Sequence, residues 1–93
     1  MLIAIPAELT ARDEADLMAA FTRATAGEVV LDFSKLEYMN SGGIGLLVTL
    51  LMRAQWTGRR VLAVGVPDVY REIFAVTGLD QMFDVRGAVE VAA

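Results

Sequence analysis

Residues 39–45 read MNSGGIG, and two different sequence patterns meet there. Before them stands EVVLDF, residues 28–33, β-branched and nearly continuous in apolar character. That is how a strand covered on both faces reads. After them comes IGLLVTLLMRAQW, residues 44–56, apolar on most sides and long enough for more than three helical turns. A serine and two glycines between such segments mark the start of a helix. The spacing predicts a helix from about Ser41 to Trp56, closed by Gly58, with Ser41 as its cap. RRVLAVGV, residues 59–66, then reads as a second buried strand.

The same alternation extends in both directions. Leu2 to Ile5 form a short apolar run ended by Pro6, as an edge strand would be. Thr10 is placed to cap a helix whose first turn carries Asp13 and Glu14, acids suited to the positive end of the helix dipole. Leu17, Phe21 and Ala24 share one face of that helix, and Gly27 is placed to end it. Pro67 and Asp68 open a third helix, with Val69, Ile73 and Val76 as its expected inner face and Gly78 as its stop. Residues 79–93 read as a last turn or short helix and a weak terminal strand. Strand, helix, strand, helix, strand, helix predicts an α/β fold. The expected architecture is one small domain over residues 1–93, a mixed, mostly parallel sheet with helices packed on it.

Composition narrows the function. The chain has 93 residues, enough for one core. It contains no cysteine and no histidine. That excludes disulfides and thiolate sites, and it removes the commonest general base and metal ligand. No catalytic residue, metal ligand or cofactor site is therefore expected. The net charge is −4 and the eight basic residues are scattered apart from Arg59 and Arg60, so no basic face for nucleic acid is apparent. The longest apolar run, Ile44 to Met52, is far below the roughly 18–20 residues of a membrane span. No basic leader precedes the first apolar run. The expectation is a soluble cytoplasmic domain, without membrane insertion, that binds another protein.

Ser41 allows two readings. As a cap, its oxygen would accept a first-turn N–H and do nothing more. Gly42 and Gly43 weigh against that being its whole role, because each costs roughly 0.5–1 kcal/mol against alanine in a helix. They leave the backbone N–H groups bare, and a helix N-terminus with open N–H groups favours an anion. A phosphate on Ser41 would add about −1.5 to −2 charges there. A nucleotide loop is disfavoured, since no Gly-Lys-Ser/Thr follows and the dinucleotide spacing is absent.

These residues resemble a known family. LDFSKLEYMNSGGIGLLVTLLMRA, residues 31–54, is similar to the central motif of STAS domains, the fold of bacterial anti-sigma factor antagonists. Asp32-Phe33-Ser34 matches the family's Asp-Leu-Ser, and Met39 to Gly45 matches its hydrophobic-Asp-Ser-Ser-Gly-Leu-Gly. Ala7 to Thr10 resembles Gly-Glu-Leu-Asp, and residues 61–83 resemble the later strand and helix with a Thr-Gly-Leu-x-x-x-Phe ending. The family's first strand is the part not matched.

The resemblance implies a domain without catalytic activity that binds an anti-sigma factor, itself a GHKL-type serine kinase. That kinase would phosphorylate Ser41, and a PP2C-type phosphatase would reverse the mark. Thr10, Asn40, Ser41, Gly42, Gly43 and Leu46 are the expected partner-binding residues. The family also serves as constitutive scaffolds in stressosome-like and lipid-transport assemblies, where Ser41 would be only a cap. Asn40 and Thr10 stand where the family often has Asp, which implies a less acidic surrounding for Ser41.

For the remaining side chains, Leu46, Leu50 and Arg53 are expected to border an inner stripe of Ile44, Leu47, Val48 and Leu51. One edge of this helix leaves room for a homodimer. Tyr70 and Phe74 read as the flank of the core or a partner anchor, Trp56 as a packing lid, and Asp32 as a loop or capping residue. Arg12, Arg23, Arg59, Arg60 and Arg71 are expected to be solvated.

Overall fold

Two buried strands carry the sheet. β3 (Glu28–Asp32) and β5 (Arg60–Val64) pair in parallel from Glu28↔Arg60 to Asp32↔Val64. β1 (Leu2–Ala4) adds to β3 and β6 (Asp84–Arg86) to β5, giving the order β1-β3-β5-β6 with every pairing parallel. A second, two-stranded parallel sheet joins β2 (Glu8–Leu9) to β4 (Tyr38–Met39). This computed structural model describes residues 2–23, 27–82 and 84–86. Ala24 lies outside them, while the last turn and terminal strand expected within residues 79–93 are a 3-10 turn, Leu79–Gln81, and β6.

The strands follow one another across the sheet in chain order, so right-handed crossovers put α1 (Glu14–Arg23), α2 (Ser41–Trp56) and α3 (Asp68–Thr77) on one face. The core agrees with that. Ile3, Val29, Leu31, Val61 and Ala63, alternate residues of three strands, form one buried cluster with residues from all three helices. α1 contributes Leu17 and Phe21, α2 contributes Leu46, Leu47, Leu50, Leu51 and Ala54, and α3 contributes Tyr70 and Phe74.

Helix α2 has the predicted bounds. The first helical segment is split: a single turn of 3-10 helix, Ala11–Asp13, precedes α1. Thr10 caps that turn in a reciprocal arrangement, its hydroxyl accepting from the Arg12 N–H while the Asp13 carboxylate accepts from the Thr10 N–H at 2.9 Å. Gly78 ends α3 in the left-handed region at φ 80°, as expected of a C-terminal glycine.

The inner face of α3 is not the expected one. Val69 and Val76 are 59% and 88% exposed and Ile73 is half-buried, while Tyr70 and Phe74 are buried. The aromatic pair has partners that the valines lack. Phe74 packs edge-on against Phe33 with ring centroids 5.7 Å apart. The Tyr70 hydroxyl accepts the Met39 N–H at 3.1 Å and donates to the Glu37 carbonyl at 3.4 Å. Full burial of one such ring stabilises by about 1.5–3 kcal/mol, more than a valine would gain in its place.

Trp56, expected to be a lid, is 81% exposed. It falls on the side of α2 away from the buried Leu47, Leu51 and Ala54 and covers none of them. Arg59 is also not simply solvated. Its guanidinium stacks over the Phe21 ring at 4.9 Å and donates to the Phe21 carbonyl at 2.7 Å, joining the ends of α1 and α2. Arg60 reaches Glu28 at 4.0 Å across the paired strands, and the Arg71 Nε donates to the Val66 carbonyl at 3.4 Å. Asp32 accepts the Ser34 N–H at 2.9 Å, the turn role its position suggests.

Candidate functional site at the start of helix α2

The site is assembled from two strand ends and two helix starts. Pairing of Leu9 with Met39 brings the ends of β2 and β4 together, so Thr10 and Asn40 emerge side by side. Each caps a helical segment, Thr10 the 3-10 turn and Asn40 helix α2. Further hydrogen bonds fix the frame. The Glu37 and Tyr38 N–H groups both donate to the Ala7 carbonyl, at 2.7 and 3.0 Å, and Tyr70 holds Met39 from the α3 side. Tyr70, read from the sequence as core flank or partner anchor, is thus a positioning residue as well.

The cap of α2 is Asn40, not Ser41. The Asn40 Oδ1 accepts the Gly43 N–H at 2.9 Å, and its carbonyl accepts the Ile44 N–H at 3.0 Å. Ser41 is the first helical residue, and its side chain is exposed. The reason is geometric: the residue that leaves β4 with extended φ and ψ is Asn40, and only an extended residue can fold its side chain back over the first turn. Ser41 is thereby released from capping. Among the described residues its hydroxyl has no hydrogen-bond partner, and neither do the N–H groups of Ser41 and Gly42.

The three glycines of this segment do different things. A Cβ on Gly43 would overlap the Leu9 carbonyl oxygen and stand 2.8 Å from the Leu9 carbonyl carbon and 2.9 Å from the Met39 Cγ. Gly43 is therefore a packing requirement, and its N–H is taken by Asn40 rather than left bare. At Gly42 a Cβ would sit 3.1 Å from the Ala11 Cβ, which is tight. At Gly45 it would meet nothing within 4 Å. Gly43 and Leu46, both expected at the partner surface, are buried; Leu46 is 4% exposed and belongs to the core. Its lateral edge lines a groove of about 300 Å³ between the start of α1 and α2, together with Ala11, Glu14, Gly42, Gly45 and Thr49.

The neighbourhood is more acidic than Thr10 and Asn40 alone imply. A cleft of about 450 Å³ beside the α2 start is lined by Glu8, Thr10, Ala11, Arg12, Asp13 and Asn40. Asp13, which bonds the Thr10 N–H, restores a carboxylate next to the position where the family often has one. α2 itself has no acidic residue in its first turn. No group of histidine, cysteine or acidic side chains able to hold a metal exists among the described residues.

Comparison with known proteins places this geometry. The family model described as "Mlab, STAS domain" matches residues 1–87. The chain belongs to the STAS family. Solved STAS structures share its fold at low identity. An anti-sigma-factor antagonist STAS domain protein from Planctomyces limnophilus superimposes with a TM-score of 0.79 at 22% identity, over 98% of this chain and 84% of that one. The Bacillus cell fate determinant SpoIIAA, in its phosphorylated form, gives 0.72 at 20% identity over 98% and 84%. The anti-sigma factor antagonist SpoIIAA in its unphosphorylated form gives 0.75 at 20% identity over 98% and 81%. In this STAS domain, no described helix is long and apolar enough to cross a membrane.

Proposed function

We propose that this STAS domain is an anti-sigma factor antagonist-like regulatory module, binding a GHKL-type serine-kinase anti-sigma factor and switched by phosphorylation of Ser41. The observation that carries this reading is the division of labour between Asn40 and Ser41. Asn40 caps the helix, so Ser41 presents an exposed hydroxyl that the fold does not use. A phosphate there would lie against the uncompensated positive end of a 16-residue helix, where about −1.5 to −2 added charges are tolerated. The same charges, set beside Glu8, Asp13 and Glu14, would change the docking face and release the partner. A PP2C-type phosphatase would reset it. The solved neighbours that bear the name antagonist support the reading through their shared fold.

A second reading, a constitutive scaffold in a stressosome-like or lipid-transport assembly, is favoured by the name Mlab on the family model that matches. The two are separated by incubating the chain with ATP and a GHKL kinase encoded in the same genome, followed by intact mass and a binding titration. A switch gains one phosphoryl group on Ser41, loses binding in Ser41→Asp and keeps it in Ser41→Ala. A scaffold gains no mass and binds its partner equally in all three forms.

A further inference from the structure

The other end of α2 also carries features that the switch does not use. The strands run parallel and the helices cross back, so the C-terminal ends of α1 and α2 lie beside the starts of β3 and β5. Trp56, the only tryptophan of the chain, projects there at 81% exposure, with Met52 one turn earlier at 41%. Three arginines scattered in sequence gather around this corner. Arg53 is exposed on the last turns of α2, Arg23 is exposed at the end of α1, and Arg59 is pinned between the two helix ends against Phe21. The carboxylate nearest in the strand register, Glu28, is paired with Arg60. Asp80 belongs to the turn after α3, on the β6 side. α2 contains no acidic residue, and the last two turns of α1 contain none either. Among the described residues, a chain of net charge −4 therefore has a cationic corner built around its one indole.

We propose that this corner makes a peripheral contact with an anionic phospholipid surface. Guanidinium groups match phosphate geometry, and an indole with its polar N–H belongs at the boundary between headgroups and acyl chains. The indole stands 81% exposed at the end of α2. A bilayer interface receives such a group without a preformed pocket, whereas a protein partner would have to supply one. The contact lies on the membrane and does not span it.

The single tryptophan makes the test direct. The full chain is mixed at low salt with vesicles of phosphatidylcholine containing one-third phosphatidylglycerol, and with vesicles of phosphatidylcholine alone. The expected result is co-sedimentation and a blue shift of Trp56 emission with the anionic vesicles only, both lost at high salt. Arg53→Glu should weaken binding about thirtyfold, since it changes the charge by two and each charge is worth about fivefold. Trp56→Ser should weaken it while the circular dichroism stays unchanged. Val69→Ser, an uncharged change at an exposed position at the start of α3, should leave it unchanged. Unshifted emission with anionic vesicles overturns the proposal, as does equal binding to neutral ones. Binding that survives both Arg53→Glu and Trp56→Ser places the contact elsewhere and also overturns it. An acidic protein that binds this corner when anionic vesicles do not would replace the lipid with a protein.

Discussion

Helices α2 and α3 each follow a strand through a short connection, yet their first turns are built on opposite terms. α3 starts from Pro67 with no side-chain cap, and Asp68 supplies the negative charge at its positive end. α2 starts with a side-chain cap, Asn40, and no carboxylate in its first turn. α1 resembles α3 in this respect, with Glu14 and Asp16 in its first turn. Of the three described α-helices, α2 alone has no carboxylate in its own first turn, which is held in place by other means. The difference teaches that the start of α2 is held by packing and hydrogen bonds, where α1 and α3 carry acids of their own.

The first way to break this comparison is to disturb the packing. Gly43→Ala drives a methyl into the Leu9 carbonyl and should cost about 3 kcal/mol, a melting temperature lower by more than ~10 °C in calorimetry. A small effect there would show that the α2 start is looser than its geometry. Next, Asn40→Ala removes the cap and should cost about 1 kcal/mol in urea titration, whereas Ser41→Ala should stay within about 0.5 kcal/mol. Equal losses from the two would return the capping role to Ser41. Gly45→Ala should go the other way and raise stability by about 0.5–1 kcal/mol, because a Cβ there meets nothing. The smallest effects concern the dipole. Ser41→Asp should stabilise α2 by about 0.5 kcal/mol at low salt, and Asp68→Asn should destabilise α3 by a similar amount, both fading as salt rises. If Ser41→Asp destabilises, the positive end of α2 is already occupied.

The sequence disclosed the parts of this molecule that are local. Ser41 to Trp56 was legible as a helix because glycines, an apolar stretch and a closing Gly58 bound it. β3 and β5 were legible because their residues are apolar on both faces. What escaped depends on partners distant in the chain. Val69, Ile73 and Val76 have the same helical spacing as Tyr70 and Phe74, and a shift of one residue turns the face by about 100°. Only Phe33 and the Met39 N–H decide between them. The need for glycine at 43 is set by the carbonyl of Leu9, and the β2–β4 pairing behind that contact is too short to leave a pattern. Ser41 was found by its motif, but its release from capping follows from the extended backbone of Asn40, which sequence alone does not give. The arginines of the Trp56 corner were read as scattered because they are, until the chain is folded.

The contact of Gly43 with Leu9 has a last consequence. With no room for even a methyl group between helix and strand, the first turn of α2 sits directly against the Leu9 backbone. Under the proposed switch, a phosphate on Ser41 would thus be read from the surface it alters and not from a change of posture.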